Sequence, residues 1–168
     1  MPIPGITQPE RIDIDGTLRL RKFDNDYAQA LAWYQDPETV RLVDGKADPY
    51  TPQRLQRMYD YLADRGELWW IECRAEDGTF RPIGDVTFWQ EDMPIVIGDP
   101  AFRGRGIGRR VIKALCKRAR ELNYNNIYVN EIYDFNLPSI RCFTAVGFQP
   151  CGVAERGKRY MRQVGEDE

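Results

Sequence analysis

Apolar residues at the start of the chain follow first the period of a strand and then that of a helix. Residues 17–23 (TLRLRKF) alternate apolar and basic side chains, which predicts a strand with one buried face. Thr51 caps the start of a later helix, which Gly66 ends. We expect residues 1–15 to be a loose lead-in. The helical segments predicted here are 26–34, 37–43 and 51–66.

Farther along, short apolar runs are separated by turn residues. Asp77 and Gly78 are a hairpin signal, and Glu91 and Asp92 form the next turn. These turns join three strands of an antiparallel meander, at 67–74, 82–90 and 93–98. A long helix then runs over 107–122, with its apolar residues on one stripe. The remaining predicted elements are a strand at 127–131, a helix at 137–146, and strands at 148–153 and 159–164.

Without the short segment 37–43, the element order is β-α-α-β-β-β-α-β-α-β-β. This order predicts an α/β (α+β) fold with a mixed, mostly antiparallel sheet. A length of 168 residues, with 42% hydrophobic and 30% charged residues, is typical of one globular domain over residues 1–168. We expect residues 165–168 (GEDE) to form a disordered acidic tail.

Composition excludes several classes of function. Histidine is absent, which excludes His-based triads, His general bases and His metal sites. None of the four cysteines forms a C-x-x-C pair, so we expect no metal, and free thiols without a signal peptide favour a cytoplasmic location. No apolar run is long enough to cross a membrane. The net charge of −2 gives no overall basic field, so we do not expect nucleic acid as a partner.

Charge is concentrated in one segment. Residues 101–120 contain eight basic residues and no acidic residue, which leaves 16 basic against 26 acidic residues in the rest of the chain. This asymmetry indicates an anionic ligand at the segment and a cationic partner elsewhere. The alternative interpretation is a solvated helix face.

The turn before the long helix is rich in glycine and flanked by arginine. Backbone N–H groups at Gly104, Gly106 and Gly108, together with the positive end of the helix dipole, form a cradle suited to a pyrophosphate. A P-loop requires a Lys-Ser or Lys-Thr pair, which does not follow here. A dinucleotide fingerprint requires G-x-G-x-x-G, but Arg109 holds the place of its third glycine. Glu131 lies about where a ribose-binding acid would sit, yet the chain after the turn is too short for the rest of that fold.

Two motifs together are similar to the signatures of the GNAT acetyltransferase superfamily. The first, R-x-x-G-x-G between a strand and a helix, consists of Arg103, Gly106 and Gly108. The second, N-x-x-[AS]-I-x-x-[YF]-x-x-x-G-F, corresponds to residues 136–148 (NLPSIRCFTAVGF). Their order and separation match the family, and the resemblance covers about residues 17–164. Within the superfamily the chain looks most like the aminoglycoside 6′-N-acetyltransferases and the ribosomal-protein N-terminal acetyltransferases.

The resemblance implies acetyl-CoA as co-substrate and a central splay in the sheet. The turn amides would hold the pyrophosphate, and the strand before the turn would pair with pantetheine and polarise the thioester carbonyl. Asn136 would bind the pantetheine arm, although a plain helix N-cap explains it equally well. The cofactor-binding residues implied are Ile95, Val96, Ile97, Arg103, Gly104, Arg105, Gly106, Ile107, Gly108, Arg109, Asn136, Ser139 and Phe143.

The reaction implied is direct acyl transfer to an amine, which needs a base. Glu131 is the first choice for the base, because it ends the strand on the far side of the splay. In the aminoglycoside enzymes an acid at the matching position handles the substrate amine. In place of the tyrosine that many members use as a general acid, the chain has Phe143; Tyr133, Tyr128 or a water would then substitute. Alternating residues of strand 82–90 form either an acidic, aromatic wall or the wet side of the sheet. The residues expected at the acceptor are Asp85, Trp89, Glu91, Asp99 and Tyr133, with Asp85, Glu91, Asp92 and Asp99 as reserve bases.

Three functions follow for the sequence as it stands. The first is an acetyl-CoA-dependent N-acetyltransferase acting on a small cationic amine such as an aminoglycoside. The second is a protein N-terminal acetyltransferase, with a peptide groove beside Trp33 and residues 37–50. The third is a non-catalytic acyl-CoA-binding sensor domain, which Phe143 favours. The expected partners are a small amine or a peptide N-terminus and a second copy of the chain in a homodimer, with no membrane.

Overall fold

The structure, a computed structural model, describes residues 1–165. Almost all of the expected acidic tail, residues 166–168, therefore lies outside the described residues. The chain divides into two compact units. The first contains Met1–Thr87 and Ile95–Arg103, and the second contains Phe88–Pro94 and Gly104–Glu168.

The first unit is built on a sheet with the strand order β1-β2-β3-β4-β5. The central strand β3 is buried along nearly its whole length, and Trp69, Trp70 and Ile71 are fully buried. This sheet comprises β1 (Arg11–Asp15), β2 (Leu18–Lys22), β3 (Glu67–Arg74), β4 (Phe80–Phe88) and β5 (Ile95–Ile97).

Strand β1 corrects the expected lead-in. Residues 11–15 are not loose but pair antiparallel with β2, with Ile12 opposite Leu20. The sequence RIDID has the period of a strand, and its two isoleucines are half-buried while its charged residues are exposed. The short run with three charged residues concealed this alternation.

The predicted helix over residues 26–34 is also wrong. Two short 3₁₀ turns, Ala28–Ala30 and Trp33–Gln35, take its place. Asp36 is extended (φ −73°, ψ 122°), as expected for a residue before proline, so the chain cannot continue one helix through this point. The helices that follow are α1 (Pro37–Asp44), capped by the Asp36 side chain, and α2 (Pro52–Arg65), capped by Thr51.

The second unit combines two helices with a sheet of order β6-β8-β7. The apolar stripe predicted for the long helix is buried, including Val111, Ile112 and Leu115. The backbone carbonyl of Gln90 accepts the N–H of Tyr128 at 2.9 Å, which ties residues 88–94 to this unit. Its elements are α3 (Ile107–Glu121), β6 (Asn126–Tyr133), α4 (Leu137–Ala145), β7 (Gln149–Val153) and β8 (Gly157–Gln163).

The resemblance expects the splay between the strand before the glycine turn, β5, and the strand that contains Glu131, β6, and these strands belong to different sheets. Strand β5 is the last strand of the five-stranded sheet, and β6 is an edge strand of the three-stranded sheet. After β1, and apart from the helix expected over residues 26–34, the strands and helices occur in the predicted order. Within residues 1–165, no helix is both long and apolar enough to cross a membrane.

Candidate functional site

The turn before α3 has the backbone that an anion cradle requires. Gly104 (φ +73°) and Gly106 (φ +74°) are both in the left-handed region, where residues other than glycine are strained. Gly106 occupies the N-cap position of α3, and no side chain caps this helix. By contrast, side chains cap α1, α2 and α4. The first N–H groups of α3 therefore lack the usual side-chain acceptor. Such groups are suited to bind an anion.

Gly108 has a different role from the other two glycines of the turn. It is buried, and a Cβ at this position would lie 3.1 Å from Sγ of Cys142. Glycine here allows α3 and α4 to approach closely beside the turn. Burial raises the pKa of the Cys142 thiol, while the nearby Arg109 and Arg141 act in the opposite direction.

The arginines around the turn do not share one environment. Arg105 and Arg109 are exposed. The guanidinium of Arg103 instead donates from Nε to the carbonyl of Ile97 (3.1 Å) and from Nη2 to Oγ1 of Thr39 (2.5 Å). Only Nη1 of Arg103 is then left for a phosphate.

Strand β5 provides a short, half-buried backbone edge. Val96 lies opposite Asp85 on β4, and Ile97 lies opposite Gly84. A Cβ on Gly84 would overlap the carbonyl of Val96, so glycine is required for this close approach. On its other side, β5 has no strand partner within this sheet of the described chain.

The structure brings Glu131 and Tyr133 together through Arg156. Glu131 Oε2 accepts the backbone N–H of Arg156 at 2.6 Å. The guanidinium of Arg156 donates to the Tyr133 hydroxyl at 3.0 Å and lies 4.6 Å from the centre of its ring. Arg156 was not predicted from the sequence. It lies in the turn before β8, and only the pairing of β8 with β6 brings it beside Glu131 and Tyr133.

Asp85 lies in a buried cluster rather than on a wet face of the sheet. It is only 2% exposed, and its Oδ2 accepts the hydroxyls of Tyr34 (2.7 Å) and Tyr59 (2.9 Å). Burial raises the pKa of Asp85 to about 6, although both phenol hydrogen bonds act to lower it. Thr87, on the same side of β4, is fully buried with no partner for its Oγ1 among the described residues. The wet-side interpretation is thus wrong for Asp85, because Tyr34 and Tyr59 cover its carboxylate, and Thr87 is buried as well.

Tyr34 and Tyr59 were missed as partners of Asp85. Both stand at helical spacing with apolar residues in the sequence, a pattern that indicates burial but not a polar partner, and both are buried at 1% exposure. The signal was their hydroxyl, because a buried tyrosine needs a hydrogen-bond partner. Burial and the Asp85 carboxylate raise the pKa of both phenols, which keeps them as donors.

The reserve acids each have a local partner. Glu91 is paired with Arg159 (2.7 Å). Asp99 accepts the N–H of Ala101 (3.0 Å) and caps the turn before Arg103. Asp92 accepts two backbone N–H groups, and burial raises its pKa. The half-buried Trp89 forms a backbone bridge with Asp92.

The second motif, residues 136–148, lies on helix α4 and the residues on either side of it. The Asn136 side chain accepts the N–H of Ser139 at 3.2 Å, which is the N-cap arrangement considered above, and a role toward pantetheine stays a prediction. Phe143 is 2% exposed and packs against Phe148 with ring centres 5.1 Å apart. The described residues contain no group of three or more His, Cys, Asp or Glu side chains that could hold a metal ion.

Comparison with known sequences gives one family and one relative. Residues 17–149 match the sequence model of a family described as "Acetyltransferase (GNAT) domain". N-alpha-acetyltransferase RimI of Mycobacterium tuberculosis is 36% identical over 85 residues, which make up 51% of this chain and 49% of that protein. The chain thus matches about half the length of this relative.

Comparison with solved structures gives the same architecture. AAC(6')-Ib in complex with ribostamycin and coenzyme A superimposes with a TM-score of 0.69 at 19% identity, covering 88% of this chain and 93% of that one. Spermidine N-acetyltransferase from Vibrio cholerae, in complex with CoA and spermine, gives 0.65 at 17% identity, covering 89% and 96%. At these identities the likeness shows a shared fold.

Proposed function

Because the chain belongs to the GNAT acetyltransferase family, we propose that it transfers the acetyl group of acetyl-CoA to a primary amine of a small cationic acceptor, such as an aminoglycoside. The resemblance drawn from the two motifs is confirmed by the match over residues 17–149. The fold class and the acetyltransferase class are confirmed at the level of the family, and acetyl-CoA is the co-substrate that this family membership supports. Beyond the family, we propose the identity of the acceptor and the role of each site residue.

The observation that carries the proposal is the uncapped start of α3. Left-handed glycines at 104 and 106 expose the backbone, and α3 has no side-chain cap. This turn supports binding of the CoA diphosphate through main-chain N–H groups, with Arg105 and Arg109 adding positive charge. The free edge of β5 supports an extended pantetheine arm, and one of its N–H groups would polarise the thioester carbonyl.

The chemistry requires a free amine. An ammonium of pKa ~10 must lose a proton before its nitrogen attacks the carbonyl carbon. We assign this proton to Glu131, whose carboxylate is oriented by the Arg156 N–H. As the C–N bond forms, the C–S bond breaks and the electron pair leaves on sulfur. A thiolate of pKa ~8.5 leaves without a strong acid, which is consistent with phenylalanine at position 143.

Charge supports a cationic acceptor. Outside residues 101–120 the chain has 26 acidic and 16 basic residues. An excess of negative charge raises the local concentration of a polyamine. The AAC(6')-Ib structure contains ribostamycin, and the Vibrio cholerae enzyme contains spermine, and both ligands are cationic amines.

The test is release of free CoA thiol from acetyl-CoA across a panel of ribostamycin, spermine and short peptides. We expect turnover with at least one small amine and a loss of roughly a hundredfold or more in kcat for Glu131→Gln, because general-base catalysis supplies that much. Glu121→Gln, which removes an exposed acid of α3, is the matched control and should leave kcat unchanged. A panel that gives no product contradicts the proposal, and full activity of Glu131→Gln removes that residue from it.

A second candidate is acetylation of protein N-termini. The 36% identity over 85 residues to N-alpha-acetyltransferase RimI favours it. Turnover of peptides but of neither small amine would establish this alternative. Binding of CoA without turnover of any acceptor would instead support a sensor domain.

We also retain the homodimer as part of the proposal. Sedimentation velocity of the purified chain tests it, because a dimer has twice the monomer mass of 19.6 kDa. A single species of monomer mass at working concentration contradicts it.

A further inference from the structure

We infer that Arg103 is a positioning residue for the acceptor: it holds residues 33–39, here called the acceptor segment, against the end of β5. This inference rests on the proposed function and names a residue on which acceptor binding at that same site depends. It departs from the sequence-based expectation, in which Arg103 adds charge beside the diphosphate.

The guanidinium of Arg103 joins two pieces of backbone that are distant in sequence. Nε donates to the carbonyl of Ile97, the last residue of β5, at 3.1 Å. Nη2 donates to Oγ1 of Thr39 at 2.5 Å and lies 3.7 Å from Oδ2 of Asp36. A planar fork with donors in fixed directions suits such a bridge, whereas a lysine ammonium does not present the same geometry.

The Thr39 hydroxyl that Arg103 contacts also takes part in the N-cap of α1. The Asp36 side chain accepts both the N–H (3.3 Å) and the hydroxyl (3.0 Å) of Thr39. The Thr39 hydroxyl therefore donates to Asp36 while its oxygen accepts from Arg103. Thr39 is only 2% exposed, so its hydroxyl meets little competing water, whereas the side chains of Arg103 and Asp36 are about a third exposed.

A second contact fixes the other end of the acceptor segment. The ring of Trp33 lies directly over Gly98, the residue after β5, and a Cβ on Gly98 would overlap it. Trp33 also packs edge-on against Trp70, with ring centres 6.0 Å apart. The acceptor segment is thus held at Trp33 by packing and at Thr39 by Arg103.

This arrangement bears on the reaction because of what β5 does in the proposal. If a β5 N–H polarises the acetyl carbonyl, the attacking amine must arrive close to this strand. The acceptor segment lies against the end of β5, and we infer that it forms a wall beside the approaching amine. Loosening the Arg103 bridge would move the wall while leaving the main-chain N–H groups of the turn unchanged.

Two variants test the inference, and one serves as control. Arg103→Lys keeps the charge but loses the fork, and Thr39→Val removes only the hydroxyl at nearly constant shape. Arg41→Gln removes an exposed guanidinium that pairs with Glu38 on α1, the helix that contains Thr39. With the amine found active in the panel, we expect both test variants to raise the acceptor KM about tenfold, the factor that corresponds to about 1.4 kcal/mol. The Kd for CoA by calorimetry should change less than about twofold. The double variant should raise the acceptor KM by less than the product of the two single effects, because the two variants share the Arg103–Thr39 contact.

An unchanged acceptor KM in Thr39→Val overturns the inference. So does an Arg103→Lys variant that weakens CoA binding with no effect on the acceptor, because Arg103 would then be a phosphate ligand. Failure of the proposed function is distinguished by hydrogen exchange, which needs no acceptor. If no amine is acetylated, faster exchange of the amides of residues 37–44 in both test variants, but not in Arg41→Gln, still supports the bridge. Unchanged exchange overturns it.

Discussion

At the scale of single residues, Asp85 is in the most unusual environment. Its carboxylate is buried, it accepts two phenol hydrogen bonds, and no cation pairs with it among residues 1–165. An ionised carboxylate in such a place costs free energy, because two neutral donors replace hydration incompletely. The folded state therefore binds the Asp85 proton more tightly than the unfolded state does.

This gives a prediction for stability against pH. Burial raises the pKa of Asp85 from 3.8 to about 6 in the folded chain. The folded form gains the proton first as pH falls, so the contribution of Asp85 should become more favourable between pH 7 and pH 4, by roughly 3 kcal/mol at most. Chemical denaturation at several pH values should show this gain in the wild type relative to Asp85→Asn, which cannot titrate. Asp60→Asn, at an exposed position of α2, is the control and should follow the wild type. Parallel pH curves for the wild type and Asp85→Asn would contradict the prediction.

How far single residues could be predicted depends on how local their partners are. The glycines at 104 and 106 were identified correctly as turn residues, because their role depends on the backbone of their own segment. The environment of Asp85 was not, since it depends on Tyr34 and Tyr59, which lie 51 and 26 residues away in the chain. The partner of Glu131 is likewise 25 residues away.

At the scale of elements, the turn and α3 act as one unit. A left-handed backbone at Gly106 aims the first N–H groups of the helix, and the apolar stripe of α3 holds the helix in place. Short elements were harder to predict, because few residues carry their periodic pattern. Strand β1 and the 3₁₀ turns before α1 are short, so pairing and an X-Pro junction decide their structure more than periodicity does.

Gly106→Ala should therefore weaken the cofactor site. A Cβ there meets no atom within 4 Å, so any effect comes from the left-handed backbone, which costs about 1–2 kcal/mol for other residues. If the turn shifts to avoid this cost, the Kd for CoA by calorimetry should rise about tenfold. Gly16→Ala is the matched control, because it has equally open space and no positive φ. Equal CoA affinity in both variants would argue against the turn as the diphosphate site.

At the scale of the whole molecule, charge is sorted along the chain. The eight basic residues of 101–120 accompany the proposed anion site, while the rest carries the acidic excess. Such sorting attracts an anionic donor and a cationic acceptor to the same protein.

The acceptor KM should consequently depend on salt and on acceptor charge. Raising ionic strength from ~0.05 to ~0.5 M shortens the screening length from about 14 Å to about 4 Å. We expect the KM for spermine to rise several-fold over this range, while that for a monoamine stays nearly constant. Initial-rate kinetics with both acceptors measures the difference, and equal salt dependence would contradict a field effect.

The contact between Gly108 and Cys142 gives the molecule a natural chemical reporter. Cys142 is half-buried against α3, whereas Cys151 is exposed and Cys73 and Cys116 are buried. A thiol-alkylating reagent should label Cys151 within the first minutes. Cys142 should react more slowly, because it is half-buried against α3 and its raised pKa leaves a smaller thiolate fraction. Mass spectrometry of the labelled chain would then follow, without any engineered probe, how firmly the helices close beside the glycine turn and whether added CoA tightens them.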